Sequence, residues 1–432
     1  MVQEQPRPSR SRDLFDRACK TIPSGVNSPV RYFEPHPVFI TRSQGAYIWD
    51  VDGNRLTDLC CGYGALLLGH RRQEIISAVS EQLLRGTLYC SPTSEETDLA
   101  ELITGNFPSM DKVRLVNTGS EATMTAIRLA RGFTKRRKII KFEGGYHGAH
   151  DSVLVSAGSG QAHHGISTSE GGLEEVSQNT LVARYNDPSG LEETIRQDGD
   201  VAGVIIEPVM ANMGLILPQD GFLQQVRRIT QKNDIPLIFD EVVTGFRVSP
   251  GGAQQHYGVK PDITTLAKAL GGGFAIAAVG GRREIMDNLT PGGRVYQAST
   301  FAGNPVAVSA AISSVRTINR IKDQIYPHLE LQCAGLSRAV ADLASDMGID
   351  AQINHLSSMM QIFFTSEPVT DYDSAKRSDA ARFGRLFAEL LKNGVFVAPS
   401  QFEVVFLSSA HSGEDLDHVL DAYRLALGAI RD

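Results

Sequence analysis

A chain of 432 residues with 42% hydrophobic side chains can bury a large core and is long enough for two or three structural units. Its formal net charge of −7 disfavours binding to nucleic acid or to an anionic membrane, so a small-molecule partner is expected. The five cysteines show no CxxC spacing and no paired framework, and no apolar stretch is as long as a membrane span. We therefore expect a cytoplasmic protein with reduced thiols and no bound metal.

The N-terminal part mixes helices and short strands. Its first twelve residues are basic and lack an apolar run, so we expect no signal peptide. The stretch AYIWDVDGNRLTDL predicts short strands around an Asp-Gly turn, and helices are predicted near 71–85 and 94–105. This pattern predicts an N-terminal segment over residues 1–105 that lies outside the main sheet.

From about residue 112, short apolar runs alternate with helical stretches. The strand-like runs are KVRLVN, KIIKF, AGVIIEP, PLIFDEV and DITTLAK, and helices are predicted over 120–131 and near 221–232. This alternation is typical of an α/β domain with a mostly parallel sheet covered by helices, here over residues 106–310. Residues 156–172 contain five glycines and four serines, which predicts a mobile loop between two strands.

The last part of the chain predicts a smaller α+β domain over residues 311–432. Long helical stretches run to about residue 343, and a further helix is predicted near 376–393. The strand-like runs MQIFF, FVAPS and VVFLSS lie between these helices and a last helix.

Two charged residues follow neighbouring apolar strands of the predicted sheet. Asp240 ends the strand of IPLIFDEV, and Lys268 comes just after the strand of DITTLAK. The carboxyl ends of strands line the ligand crevice of open α/β sheets, although a structural ion pair would explain either residue alone. A desolvated lysine can form a Schiff base, and a carboxylate can hold a pyridine nitrogen protonated.

Two further segments could hold a flat, phosphorylated ligand. The turn before the helix of NTGSEATMTAIRLARG would offer the backbone N–H groups of Gly119 and Ser120 to a phosphate, though a capped helix without a ligand is the commoner explanation of such a serine. In FEGGYHGAHD, the ring of Tyr146 could stack on a flat cofactor, with His147 beside it. Core packing is the alternative explanation for both side chains.

The order of these motifs resembles the class III aminotransferases of pyridoxal-phosphate fold type I. NTGSEAT, FEGGYHG, EPV, LIFDEVVTGFR, LAKALGGG and TFAGNP follow one another between residues 117 and 305. The resemblance implies a large cofactor-binding domain, a smaller C-terminal domain, and a homodimer with active sites at its interface. It implies that the protein binds pyridoxal 5'-phosphate. Lys268 would form the Schiff base, and Asp240 would pair with the pyridinium nitrogen. Gly119 and Ser120 would bind the phosphate, and Tyr146 would stack on the ring. Thr300 would contact the phosphate of the cofactor that is bound in the second subunit of the dimer.

Further motifs resemble one branch of that class, the glutamate-1-semialdehyde aminomutase family. They are IPSGVNSPVR, NMGLILPQDGFL, GGAQQHYGVKPD, VGGRREIMD, VYQAS and SQFEVVFLSSAHS. The resemblance implies that Arg31, with Ser28 beside it, binds the substrate carboxylate and that Asn212 bonds the phenolic oxygen of the cofactor. It places Ser159 in a mobile lid. Glu403 lies where related ω-aminotransferases commonly use an arginine, so it would exclude a second carboxylate and tolerate an amine.

Several positions depart from the aminomutase pattern. Tyr63, in CGYGALLLGH, replaces a larger aromatic residue of the substrate wall, and a proline usual after it is missing. The stretches STSEGGLEE, EPVMANMG, ALGGGFAIAAVGG and STFAGNP also differ from the family's usual sequences. These differences concern substrate contacts and gating more than cofactor chemistry.

The resemblance implies an isomerase that converts (S)-4-amino-5-oxopentanoate, glutamate 1-semialdehyde, to 5-aminolevulinate, a tetrapyrrole precursor. The cofactor would cycle through its pyridoxamine 5'-phosphate form by way of a diamine. A class III aminotransferase acting on a β-amino acid or an ω-amine with a keto acid is the alternative. A non-catalytic nucleotide-binding module fits poorly, because no GxGxxG opens a helix after a strand and Lys268 and Asp240 would be unexplained.

Overall fold

The computed structural model describes residues 9–155 and 169–431. The strands, in chain order, are β1 Ile40–Gln44, β2 Tyr47–Asp50, β3 Arg55–Asp58, β4 Lys112–Val116, β5 Lys138–Phe142, β6 Thr180–Ala183, β7 Val201–Ile206, β8 Leu237–Asp240, β9 Ile263–Leu266, β10 Ala277–Gly281, β11 Gln352–Leu356, β12 Met359–Phe363, β13 Val395–Phe396 and β14 Val405–Phe406. The helices are α1 Arg10–Ala18, α2 Cys61–Gly64, α3 Gln73–Arg85, α4 Ser94–Asn106, α5 Gly119–Thr134, α6 Glu174–Ser177, α7 Pro188–Gln197, α8 Phe222–Lys232, α9 Gly252–Tyr257, α10 Arg283–Met286, α11 Pro305–Asp346, α12 Tyr372–Arg377, α13 Ala380–Lys392 and α14 Gly413–Ala429. Short 3₁₀ turns span Pro23–Gly25, Pro29–Arg31 and Lys268–Gly271.

The central sheet has the strand order β4-β10-β9-β8-β7-β5-β6. The five strands from β9 to β6 are parallel, whereas β10 runs antiparallel to both β9 and β4. Every residue of β7, β8 and β9 is buried, which explains why these strands appear in the sequence as continuous apolar runs. The predicted α/β fold with a mostly parallel sheet is confirmed.

The parallel strands end at one edge of the sheet. In the register of β8 and β9, Asp240 pairs with Thr265, and Lys268 follows two residues after β9 ends. The chain leaves β5 into the turn that carries Tyr146 and leaves β7 at Glu207. The polar side chains that follow separate strands in the sequence therefore lie at this one edge of the sheet.

The N-terminal strands form a separate sheet with a strand from the end of the chain. Its order is β1-β2-β3-β13, and β13 runs parallel to β3. A third sheet contains β11, β12 and β14. The helix α11 passes residue 310 without a break, and the domain boundaries after residues 105 and 310 stay predictions.

One predicted helix is divided in the structure. The stretch near 376–393 forms α12 and α13, because Asp379 caps the second helix by accepting a hydrogen bond from the backbone N of Arg382 at 2.8 Å. Among the described residues, no helix is long and apolar enough to cross a bilayer.

Candidate active site

Asp240 is a buried carboxylate that is oriented by three donors. Its Oδ1 accepts hydrogen bonds from Thr265 Oγ1 and from the backbone N of Val242, both at 3.1 Å. Its Oδ2 lies 2.7 Å from Nδ1 of His147. The side chain is only 4% exposed, so these contacts fix the direction in which the carboxylate faces.

His147 stands behind this carboxylate. The imidazole is buried, and its Nε2 is enclosed with no hydrogen-bond partner among the residues that the structure describes. A neutral ring that carries its proton on Nδ1 donates to Asp240 and leaves only a bare acceptor at Nε2. This tautomer avoids an unsatisfied buried N–H group, so we assign it to His147.

Lys268 begins the 3₁₀ turn after β9, in a left-handed backbone conformation with φ of 45°. Burial lowers the pKa of its amine, while the negative charges of Glu403, Glu207 and Asp240 act in the opposite direction. A lowered pKa leaves more of the amine neutral, and the neutral form is the nucleophile.

The helix α5 begins at the same cavity. Thr118 caps it by accepting from the backbone N of Glu121 at 3.1 Å, and Gly119 and Ser120 are its first residues. A Cβ built on Gly148, whose φ is +100°, would lie 2.6 to 2.8 Å from atoms of Ser120. The close approach of these two backbones explains why the last residue of FEGGYHG, Gly148, is a glycine. The helix N-terminus is a favourable site for a phosphate.

Glu207 organises the opposite side of the cavity. It is buried and accepts from the backbone N of Tyr146 at 2.9 Å and from that of Ala211 at 3.0 Å. It also accepts from the Asn212 side-chain amide at 2.9 Å. One carboxylate thus positions both Tyr146 and Asn212, and burial raises the pKa of Glu207 itself. Glu207 belongs to the EPV motif, but nothing in the sequence indicates this role, because it depends on contacts that only the fold creates.

These groups line one cavity of about 210 Å³. Its lining includes Gly119, Ser120, Tyr146, Asn212, Asp240 and Lys268. The cavity offers a helix N-terminus for a phosphate, a carboxylate for a protonated ring nitrogen, an amine of lowered pKa and an aromatic ring. This set of donors fits pyridoxal phosphate.

Several of the residues predicted to bind the substrate are linked to one another through Tyr63. Tyr63, also in a left-handed conformation, donates from its Oη to the carbonyl of Val30 at 2.6 Å, which joins it to the turn that contains Arg31. Burial raises the pKa of Tyr63. The charge of Glu403 raises this pKa further, and the charge of Arg31 lowers it. Glu403 is 6% exposed, and its negative charge opposes the lowering of the pKa of Lys268 by burial.

Four other predicted residues are not among the described residues that line the cavity. Ser28 is half-buried just before the Pro29–Arg31 turn, and Arg31 is exposed. Thr300 is exposed on the surface of this single chain. Ser159 lies outside the described residues, as does most of the predicted loop 156–172.

The sheet, the strand-end lysine and carboxylate, and the capped helix define an enzyme of the aminotransferase type. The model of the family "Aminotransferase class-III" matches residues 29–424, and the chain belongs to that family. Members of the family use pyridoxal phosphate.

Within the family, the chain is similar to archaeal glutamate-1-semialdehyde 2,1-aminomutases. It is 66% identical to that of Nitrosopumilus maritimus, over 97% of this chain and 99% of the relative. It is 63% identical to aminomutase 1 of Cenarchaeum symbiosum, over 98% of this chain and 100% of the relative. Among solved structures, an ω-transaminase from Sphaerobacter thermophilus superposes with a TM-score of 0.92 at 33% identity, covering 99% of each chain. A transaminase with pyridoxal phosphate bound gives a TM-score of 0.89 at 31% identity, covering 97% of each chain.

Proposed function

We propose that the protein is a pyridoxal-phosphate-dependent isomerase that converts glutamate 1-semialdehyde to 5-aminolevulinate by moving an amino group within one molecule. The proposal is supported by the aminomutases that share 63–66% of its sequence over nearly their full length. The structural observation that carries it is the buried Glu403 carboxylate, whose negative charge acts on the amine of Lys268. An acid at this point accommodates an amine and repels a second carboxylate.

Bound in its amine form, pyridoxal phosphate would provide the amino group and the electron sink that the exchange between the aldehyde carbon and its neighbour requires. Asp240 would keep the ring nitrogen protonated, and Gly119 and Ser120 would bind the phosphate. Tyr146 would support the ring face, and Asn212 would donate to the phenolic oxygen. Lys268 would hold the aldehyde form of the cofactor whenever that form arises during turnover, and it would carry protons between the two carbons.

The carboxylate of the substrate would be bound at the opposite end by Arg31 and Ser28. Arg31 is exposed, and its guanidinium can make two parallel hydrogen bonds to a carboxylate. With the carboxylate bound there, the amino group of the substrate extends towards Glu403. A single bound carboxylate therefore orients the five-carbon chain with its reacting carbons near Lys268.

An assay without an amine donor tests the reaction. Purified protein loaded with pyridoxamine phosphate should form 5-aminolevulinate from glutamate 1-semialdehyde alone. The alternative function, amine transfer from a β-amino acid or ω-amine to a keto acid, is favoured by the likeness to the ω-transaminase structure. Steady transfer between two such substrates without any 5-aminolevulinate would establish the alternative instead.

The charge at position 403 should decide which substrates react. We expect Glu403→Arg to lower KM for glutamate by about tenfold and to raise KM for glutamate 1-semialdehyde, because a cation attracts a second carboxylate and repels an amine. Steady-state kinetics with glutamate and with glutamate 1-semialdehyde measures the two changes in KM. Because the site is buried, Glu403→Gln serves as the milder comparison: it should weaken the aminomutase reaction without improving glutamate. If neither variant shifts the preference, Glu403 does not select the substrate.

We further propose that the protein is a homodimer in which Thr300 of each subunit completes the phosphate site of the other. Thr300 is exposed in the single chain, and the neighbouring Tyr296 and Phe301 are 67% and 58% exposed. Large apolar side chains around an exposed turn are typical of a protein interface. A second subunit covering this turn would bury both rings.

Mixing two inactive variants tests the shared site. A Lys268→Ala chain and a Thr300→Glu chain would each lack activity alone. If Thr300 acts on the partner, every mixed dimer has one intact site, and random re-association restores about a quarter of the wild-type activity. If Thr300 acts within its own chain, no mixed dimer has an intact site and activity stays absent. Sedimentation measures the oligomeric state in the same samples, and a fully active monomer would contradict the proposal.

A further inference from the structure

Arg247 is a fully buried arginine at the end of the loop that begins at Asp240. Its side chain has 0% exposure, and its neighbours come from three distant parts of the chain. Nε and Nη2 donate to the carbonyl of Gly64 at 3.1 and 2.8 Å. Nη1 donates to the hydroxyl of Ser358 at 2.9 Å and to the carbonyl of Leu407 at 3.1 Å. One guanidinium thus joins the Asp240 loop to the N-terminal and C-terminal parts.

The first of these contacts fixes the turn that carries Tyr63. Gly64 directly follows Tyr63, and its φ is +88°. A Cβ at Gly64 would lie 2.9 Å from the ring of Phe406, so this turn is packed without spare room. The Arg247 guanidinium carbon lies 4.9 Å from the centre of the same ring. The position of Tyr63 therefore depends on the arginine beneath it.

The second contact fixes the segment that follows Glu403. Leu407 comes just after β14, and its backbone N donates to the carbonyl of Ser358 at 2.8 Å while its carbonyl accepts from Arg247. The two sides of the substrate wall, Tyr63 and Glu403, are thus tied to a single side chain. Arg247 does not line the cofactor cavity, so it can act only through these residues.

We propose that Arg247 is a positioning residue that sets the substrate wall, Tyr63 and Glu403, at its working distance from the Asp240 loop. The inference rests on the proposed function, since it concerns how that substrate is bound. A lysine cannot replace the arginine. A lysine keeps the positive charge, but its single ammonium lacks the planar fork of donors with which Arg247 bonds Gly64 and Leu407 together. Burial lowers the pKa of Arg247 to about 10, so the guanidinium is protonated at neutral pH and its donors are all available.

The test is the kinetics of Arg247→Lys with glutamate 1-semialdehyde. We expect KM to rise by about tenfold or more while kcat changes by less than about threefold, because substrate binding is lost and the cofactor chemistry is retained. The visible absorbance of the bound cofactor should be unchanged. Arg131→Lys is the matched control, since Arg131 also donates to a carbonyl and a serine hydroxyl but at the far end of α5. It should leave both constants unchanged.

A double-mutant cycle with Tyr63→Ala shows whether Arg247 acts through the wall. If it does, the two changes in KM are strongly non-additive, because the second substitution removes what the first has already displaced. Additive effects, or a fall in kcat and cofactor occupancy with unchanged KM, would overturn the inference and leave Arg247 a packing residue. Absence of 5-aminolevulinate formation by the wild-type enzyme would instead reject the proposed function, so the two failures are distinguishable.

Discussion

Lys268→Ala should abolish nearly all turnover while the protein stays folded. The substitution removes both the amine that holds the cofactor and the group that carries protons between two carbons, so we expect a loss of at least about 10³-fold. Alanine fits the position, because Lys268 belongs to a short 3₁₀ turn after β9 and its side chain faces the cavity. Turnover, melting temperature and the visible spectrum of the bound cofactor measure the three consequences. Normal turnover in this variant would refute the central assignment.

Lys141 is a second buried lysine, and experiments on the cofactor must distinguish it from Lys268. Burial lowers the pKa of Lys141 to about 7, so by pKa alone it would also be a candidate nucleophile. Its Nζ, however, donates to the carbonyls of Gly145, Val153 and Val155 at 2.9, 3.0 and 2.7 Å. Its hydrogen bonds to three carbonyls hold this amine in place, and it is not among the residues that line the cavity. Geometry separates the two lysines where pKa does not.

Reductive labelling distinguishes these two residues directly. In protein loaded with pyridoxal phosphate, the aldehyde form, borohydride should fix the cofactor to the wild-type chain, and digestion should place the label on the peptide that contains Lys268. The peptide that contains Lys141 should remain unlabelled in the wild type and in Lys268→Ala. Label on Lys141 in either protein would contradict the geometric argument.

The sequence predicts the central sheet well, because its strands are buried on both faces and so appear as apolar runs. It does not predict β10, whose sequence AAVGG lacks large apolar side chains. Small residues are needed there because a Cβ on Gly281 would lie 2.3 Å from the carbonyl of Asp262. The pairing of β13 with β3 joins residues more than three hundred positions apart, and a two-residue strand has no periodicity of its own.

The sequence also predicts where two charged groups of the candidate site lie, because Asp240 ends one recognisable strand and Lys268 follows another. The fold and the family resemblance are confirmed, and the aminomutase hypothesis agrees with the names of the archaeal relatives. The supporting residues are harder to predict. Glu207 and Arg247 carry no local signal, since a charged side chain in a motif gives no sign that it will be buried. Their roles depend on partners that are distant in the sequence, and only the folded chain brings those partners together.

Asp240→Asn should lower turnover by about 10² to 10³-fold with the cofactor still bound, because the ring nitrogen loses the charge that keeps it protonated. The amide has nearly the same shape, and its oxygen can still accept from Thr265 and Val242. Its NH₂ group would then face Nδ1 of His147. That ring would have to move its proton to the buried Nε2, which has no acceptor among the described residues. The variant therefore disturbs the charge and the tautomer together.

A matched buried carboxylate separates this effect from general destabilisation. Asp262 lies just before β9 and accepts from the backbone N of Leu237 and from two arginine side chains, Arg227 and Arg282. Asp262→Asn should lower the melting temperature while turnover per folded molecule stays near that of the wild type, because Asp262 is remote from the cavity. Asp240→Asn should instead show a large loss of turnover per folded molecule, in addition to the fall in melting temperature that the unsatisfied His147 N–H causes. Equal turnover of Asp240→Asn and the wild type would make Asp240 a structural residue and remove the electrostatic basis of the cofactor site.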